Sequence, residues 1–357
     1  MSLTLESVTK KVGREIHIDN ISLSFEMGSH NVFLGRTLAG KTSLLRLMAG
    51  LDRPASGSIT VNGEDVTGRS VRQRSVAMVY QQFINYPSLT IYDNIAAPLK
   101  FSGTDKAELD RRVRETAAML RIDPLLDRLP AELSGGQQQR TAIARALVRE
   151  AHLLLLDEPL VNLDYKLREE LRVELQEIFK QRKGIVVYTT TEPSEALMMG
   201  GNIAVLHEGR LLQEGSTPQV YRHPDSTRVA RVFSDPPINL ADGISDGTTV
   251  TLDKDIQVPL SDHMKSLTPG SYRFGVHAHH LFLSSRSEND VLIDATVELS
   301  EISGSETFVH VHRNEIAWAV QEPGVHNHPI GSAVNVYVNP GNFFVFDEAG
   351  KLVAAPE

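Results

Sequence analysis

The chain has 357 residues, 41% of them hydrophobic and 23% charged, with a formal net charge of −9 and no cysteine. That length suggests two or three domains with ample apolar residues for packed cores, and the acidic balance speaks against a nucleic-acid partner, which calls for a basic face. No stretch approaches the roughly 20 apolar residues of a membrane span, the opening MSLTLESVTKK lacks the apolar centre of a signal peptide, and the absence of thiols excludes disulfides and thiolate metal sites, in keeping with a cytoplasmic location.

The first chemistry-bearing element follows the apolar run Asn31-Val32-Phe33-Leu34. Gly35-Arg36-Thr37-Leu38-Ala39-Gly40-Lys41-Thr42 fits G-x-x-x-x-G-K-[ST] and leads through Ser43 into the apolar Leu44-Leu45-Arg46-Leu47-Met48, the strand, glycine loop and helix that the motif requires. The glycines let backbone N–H groups close around phosphates, Lys41 reaches the terminal phosphates, and the Thr42 hydroxyl suits magnesium at the helix's positive end. ATP and Mg2+ are therefore the expected cofactors. Beyond Gln81 the stretch Phe83 to Thr90 is apolar and aromatic although it should be surface loop, and residues 87 to about 150 are largely helical, with one helix capped by Thr104 or Asp105.

Leu133-Ser134-Gly135-Gly136-Gln137 reads in two ways: a serine-capped helix start with a glycine pair, or a helix N-terminus presented to a phosphate. Four leucines then form a short buried strand that ends in Asp157 and Glu158. An acidic pair there is either a solvated strand-to-loop junction or a hydrolytic pair, and the phosphate loop upstream favours the second. In that reading Asp157 holds magnesium through water and Glu158 polarises the attacking water. Past Asp235-Pro236-Pro237 the pattern changes to short alternating strands punctuated by Gly and Pro, such as Thr307 to His312 and Val334 to Val338. The expected domains are thus 1–235 and 236–357.

Taken together, these motifs resemble the ATPase subunits of ABC transporters, and the resemblance covers the whole chain. It implies an α/β P-loop NTPase, with a RecA-like core, an antiparallel β front and a helical subdomain at about 87–150, followed by a C-terminal all-β OB-like regulatory or dimerisation domain of the carbohydrate-uptake type. In that family the signature residues Ser134, Gly135, Gly136 and Gln137 serve the ATP held by a second subunit, Gln81 is the Q-loop glutamine that senses magnesium alongside Thr42 and Asp157, and Asp164 belongs to the D-loop. Two transmembrane permease subunits, and through them a solute-binding protein, are the implied partners at the cytoplasmic face of the inner membrane. The segment 83–90 corresponds to the region that receives a coupling helix.

Three positions depart from the family pattern. Thr191, in Thr189-Thr190-Thr191-Glu192-Pro193, stands where the family has the switch histidine; a threonine is shorter, takes no charge near neutral pH and cannot bridge phosphate, water and carboxylate as an imidazole does. Val12 stands where the adenine loop usually carries a tyrosine, and Leu38 where the phosphate loop usually has glycine. Leu38 is the mildest of the three, since the outer glycines and Lys41 remain, but Thr191 and Val12 suggest a weakened ATP site paired with an intact signature, hence an asymmetric dimer with a non-identical ATPase. A homodimeric sugar-importer ATPase and an ATP-binding regulatory subunit that hydrolyses little are the alternatives. The pairing of Val12 with a Thr-Thr-Glu-Pro segment resembles one of the two unlike ATPases of glycerol-type importers. His277, His279 and His280 have no evident acidic or Cys partner for a metal, and His326 and His328 read as loop residues.

Overall fold

The computed structural model describes residues 2–356 and divides into two compact units, Met1–Thr217 and Pro218–Glu357. In the first unit the elements run β1 (Ser2–Val12), β2 (Glu15–Glu26), β3 (His30–Leu34), α1 (Lys41–Ala49), β4 (Ser56–Val61), β5 (Glu64–Asp65), β6 (Val76–Val79), α2 (Ile91–Phe101), α3 (Lys106–Met119), α4 (Gly135–Leu147), β7 (Leu153–Asp157), α5 (Tyr165–Gln181), β8 (Ile185–Thr190), α6 (Pro193–Met199), β9 (Asn202–His207) and β10 (Arg210–Ser216). The central sheet has the order β10-β9-β3-β8-β7-β6, parallel except for β10. A front sheet, β2-β1-β4-β5, is antiparallel.

The parallel strands are covered on both faces, so β7 (LLLLD) and β8 (IVVYTT) are buried at every position. Under that condition the polar residues at their ends, Asp157, Thr189 and Thr190, need hydrogen-bonding partners, and their partners build the site. The front sheet is tied to α1 by Asp52, which accepts two bonds from Arg46 at 2.9 Å each and one from Lys10. Arg46, then Lys10, holds the Asp52 carboxyl down to about 2 against the effect of its burial. At the same C-terminal end of α1, the buried Arg74 guanidinium donates to the carbonyls of Leu47 and Met48, a cation at the helix's negative end. Thr90 and Asp105 cap α2 and α3, accepting from the N–H groups of Asp93 and Ala107.

Among the described residues the second unit is all-β apart from two short α-helices and three single 3-10 turns, with antiparallel sheets of six and five strands, the OB-like body expected. Its strands alternate as the sequence does: in Thr307 to His312, Thr307, Val309 and Val311 point into the core and the residues between them do not. The division between units lies at Thr217/Pro218, earlier than the 235 read from the Asp-Pro-Pro sequence. The intervening segment bonds to the β unit, with Thr227 N–H donating to Gly350 O at 2.9 Å and Leu352 N–H to Asp225 O at 3.0 Å. His277 packs there too: it stacks between Tyr221 and His279, shares a 3.1 Å hydrogen bond with Ser234, and burial pushes it down to about 3. His326 bonds to the carbonyl of Pro323 and His328 pairs with Glu322. Among the described residues no group of three or more His, Cys, Asp or Glu is arranged for a metal.

Candidate functional site

At the C-terminal ends of β3, β7 and β8 the chain concentrates its polar groups, where ligands bind in open α/β sheets. Gly35 leaves β3 in a position that no other residue fits, because a Cβ would stand 2.5 Å from Leu206 O and 2.7 Å from Ala39 Cβ. Gly40, at φ 99, then caps α1 with no side-chain hydrogen bond. The first N–H groups of α1 are left without a side-chain partner, a ready anion site. Lys41 is buried inside this turn, donating to Gly35 O at 2.6 Å and Arg36 O at 3.2 Å, and Glu158 lies 3.0 Å away. A buried ammonium needs a counter-charge, and in this chain Glu158 supplies it.

The two acids are held differently. Asp157 is buried at the end of β7, and its Oδ1 accepts from the hydroxyls of Thr42 and Thr189, each at 3.0 Å. Burial pushes its carboxyl up, and the two hydroxyl donors pull against that shift. Glu158 is in the left-handed region at φ 44, a conformation that costs a non-glycine residue energy and must be imposed by its surroundings. Its N–H donates to Thr189 Oγ1 at 3.0 Å and its Oε2 accepts from Gln81 Nε2 at 3.3 Å. The structure thus brings together Lys41, Thr42, Gln81, Asp157 and Glu158. Thr42 and Asp157 present hard oxygen ligands of the kind a magnesium ion takes, and the free N–H groups and Lys41 suit a polyphosphate, so both groups fit the residues present.

Leu38, which stands where the family's phosphate loop usually has glycine, carries a cost. It sits at φ 68 and is almost wholly exposed, so it gains no burial for a conformation that glycine adopts freely. We expect Leu38→Gly to relieve about 1 kcal/mol of backbone strain and to raise the melting temperature of this unit by about 2–4 °C, measured by calorimetry on the nucleotide-free protein.

The switch segment leaves β8 beside the acids. Thr190 points to the other side of the strand, donating to Glu195 and accepting from Glu192 N–H at 3.0 Å. Tyr188 also donates to Glu195, at 2.7 Å, and burial pushes the Glu195 carboxyl up. This network fixes the start of α6. Thr191 emerges between these anchors into a small cleft shared with Glu158, Leu160, Val161, Arg168, Thr190, Glu192 and Glu195. No imidazole lines that cleft.

Ser134 caps α4 in a complete capping box: its Oγ accepts from Gln137 N–H at 3.4 Å, and Gln137 Oε1 accepts from Ser134 N–H at 3.1 Å. A Cβ on Gly136 would meet Leu167 at 2.8 Å, whereas one on Gly135 would meet nothing within 4 Å, so the chain itself supplies no steric reason for the first glycine of the pair. Asp164 caps α5, accepting from Leu167 N–H at 2.9 Å. Val12 is half exposed at the end of the β1–β2 hairpin, paired with Glu15. Beside Gln81, a cleft of about 370 Å³ is lined by residues including Val79, Tyr80, Ile84, Tyr86, Pro98 and Arg145, with the Arg145 guanidinium 4.2 Å above the Tyr86 ring. Thr189 was not singled out from sequence. A threonine ending an apolar strand is unremarkable until its partners are seen.

Known proteins share this arrangement. The sequence model described as ABC transporter matches residues 18–161. The sn-glycerol-3-phosphate import ATP-binding protein of Escherichia coli is 34% identical over 355 residues, which is 98% of this chain and 99% of that protein. The trehalose/maltose import ATP-binding protein of Thermococcus litoralis is 34% identical over 373 residues, 98% of each. Among solved structures, a dimeric ATP-binding cassette in a post-hydrolysis state bound to ADP and Pi superposes with a TM-score of 0.54 at 29% identity, covering 60% of this chain and 98% of its own. With a phosphate loop, an acidic strand end and a capped signature helix in one unit, and relatives matched along nearly their full length, the chain belongs to the ABC transporter ATPases of the carbohydrate-importer type, ATP-binding subunits that couple hydrolysis to solute import.

Proposed function

We propose that this chain powers import of a sugar, polyol or glycerol-like solute as one half of an asymmetric ATPase dimer, holding a weakened ATP site of its own and lending an intact signature to a non-identical partner. The observation that carries the reading is the cleft beside Glu158, which contains Thr191 and no imidazole. In the chain's own site, Lys41 and the N–H groups of α1 would bind the phosphates, Thr42, Asp157 and Gln81 would hold a magnesium ion, and Glu158 would hold the attacking water. A magnesium ion bound there would supply charge stabilisation for the transferring phosphoryl group. Thr191 leaves the water and the terminal phosphate without the group that would hold them in register.

The signature end is built for use from outside. Gly135 faces open space, and the N-terminus of α4 offers its dipole and N–H groups to an anion on another subunit. A second apolar feature points to the membrane partners: Tyr80, Ile84 and Tyr86 are exposed around the cleft beside Gln81, and no helix among the described residues is long and apolar enough to cross a membrane. We read this patch as the seat of a permease coupling element, and we propose that the chain sits peripherally at the cytoplasmic face of the inner membrane. The second unit serves regulation or dimerisation.

Val12 makes a separate prediction. With no ring at the hairpin tip the nucleotide is held by its phosphates, and base stacking is worth roughly 1–3 kcal/mol. Val12→Tyr should therefore tighten ATP binding by about 5- to 150-fold in a fluorescence titration, with little change in affinity for tripolyphosphate. Equal gains for both ligands would remove Val12 from the base site. The test of the asymmetric dimer itself compares Ser134 with Glu158 and is set out in the Discussion.

A further inference from the structure

We infer that Thr189 is a positioning residue for the acidic pair, a single buried hydroxyl that orients the carboxylate of Asp157 and the backbone of Glu158 together. The inference rests on the reading of those two acids as the magnesium-holding and water-holding groups. Its geometry is independent of that reading. Thr189 stands directly opposite Asp157 in the parallel β7–β8 pairing and is fully buried. A hydroxyl has one proton and two lone pairs; here the proton goes to Asp157 Oδ1 at 3.0 Å and a lone pair receives Glu158 N–H at 3.0 Å. Both bonds are directional, so the torsion of one side chain fixes both acids.

Each bond answers a particular need. Asp157 is buried, and its charged form is sustained by hydroxyl donors from Thr42 on one side and Thr189 on the other. Glu158 is held at φ 44 immediately after a strand, and the bond from its N–H to Thr189 ties the peptide in that turn to β8. The rest of β8 before Tyr188 is aliphatic, and valine has the same branched shape as threonine. A buried hydroxyl costs stability unless its bonds are made, so the pair of bonds is what the hydroxyl contributes. Supporting groups of this kind set metal affinity through the ligands they orient.

The experiment uses the full-length chain with Thr189→Val and Thr189→Ser. Amide hydrogen exchange at Glu158 in the nucleotide-free protein should speed up by about 10-fold in the valine variant, as one hydrogen bond is lost. The tightening of ATP binding by Mg2+, measured by titration with and without EDTA, should fall by about 10-fold in the same variant. Serine should restore both. Unchanged amide exchange and an unchanged Mg2+ effect in the valine variant would overturn the inference, and so would a serine variant as impaired as valine, since packing of the methyl group would then be the cause. A chain that binds no ATP while its Glu158 amide responds as expected would instead overturn the functional reading and leave Thr189 in its role.

Discussion

Thr191→His should raise the ATP turnover of the purified chain by about 10²-fold, the usual worth of one group that positions charge at the transferring phosphoryl. The frame for the new side chain is already in place. Thr190 is anchored to Glu195 and to the N–H of Glu192, and Thr191 opens into the cleft that Glu158 lines, so an imidazole there changes the chemistry without remaking the segment. The variant should also acquire a pH dependence that the parent lacks, because an imidazole titrates near neutrality and a hydroxyl does not. Phosphate release measured across pH 5.5–8.5 reads both effects. A parent chain that already turns over briskly, or a histidine variant that remains at the parent's rate, would show that the site does not depend on this position and would favour two equivalent subunits.

The second large effect concerns the assembled transporter. Ser134→Arg in this chain should abolish ATP turnover, because it fills the space in front of α4 and breaks the capping box at Ser134 and Gln137, denying the partner's nucleotide its helix terminus. Glu158→Gln in the same chain should leave at least about half of the turnover, since the chemistry in its own site is already weak without a positioning histidine. In a symmetric dimer the two substitutions cost turnover alike, because the signature serine and the water-holding acid are needed at both sites. Steady-state ATPase assays of the purified complex in detergent or nanodiscs decide between them, and equal losses would sink the asymmetric arrangement.

Much of this is legible in the sequence. The phosphate loop was legible because its residue types are dictated by local geometry: only glycine fits at Gly35 beside Leu206, and only a lysine reaches inward from the first turn of α1. The capped start of α4 was legible for the same reason, since a capping box is written in four consecutive residues. The alternation of the second unit's strands also survives in one dimension. The extent of that unit did not, because residues 218–235 carry helical patterning and join the β unit through bonds to Asp225, Thr227 and Ser234 that no local pattern announces.

By itself, then, the order of residues determined the family, the phosphate loop, the acidic pair and the places where this chain departs from its relatives. Tertiary structure alone decided how those pieces act on one another. Leu38 became a strained residue only once its φ of 68 was known, and Gly135 became an outward-facing glycine only once the space around it was seen to be empty. Thr189 is the clearest case: in sequence it is one of three threonines, and only the register of β8 against β7 puts its hydroxyl between Asp157 and the N–H of Glu158. The physical reason is common to all three. Propensity and motif are properties of neighbours along the chain, whereas strain, open space and hydrogen bonds between residues 31 or 32 positions apart exist only after the backbone has brought distant segments within 3 Å.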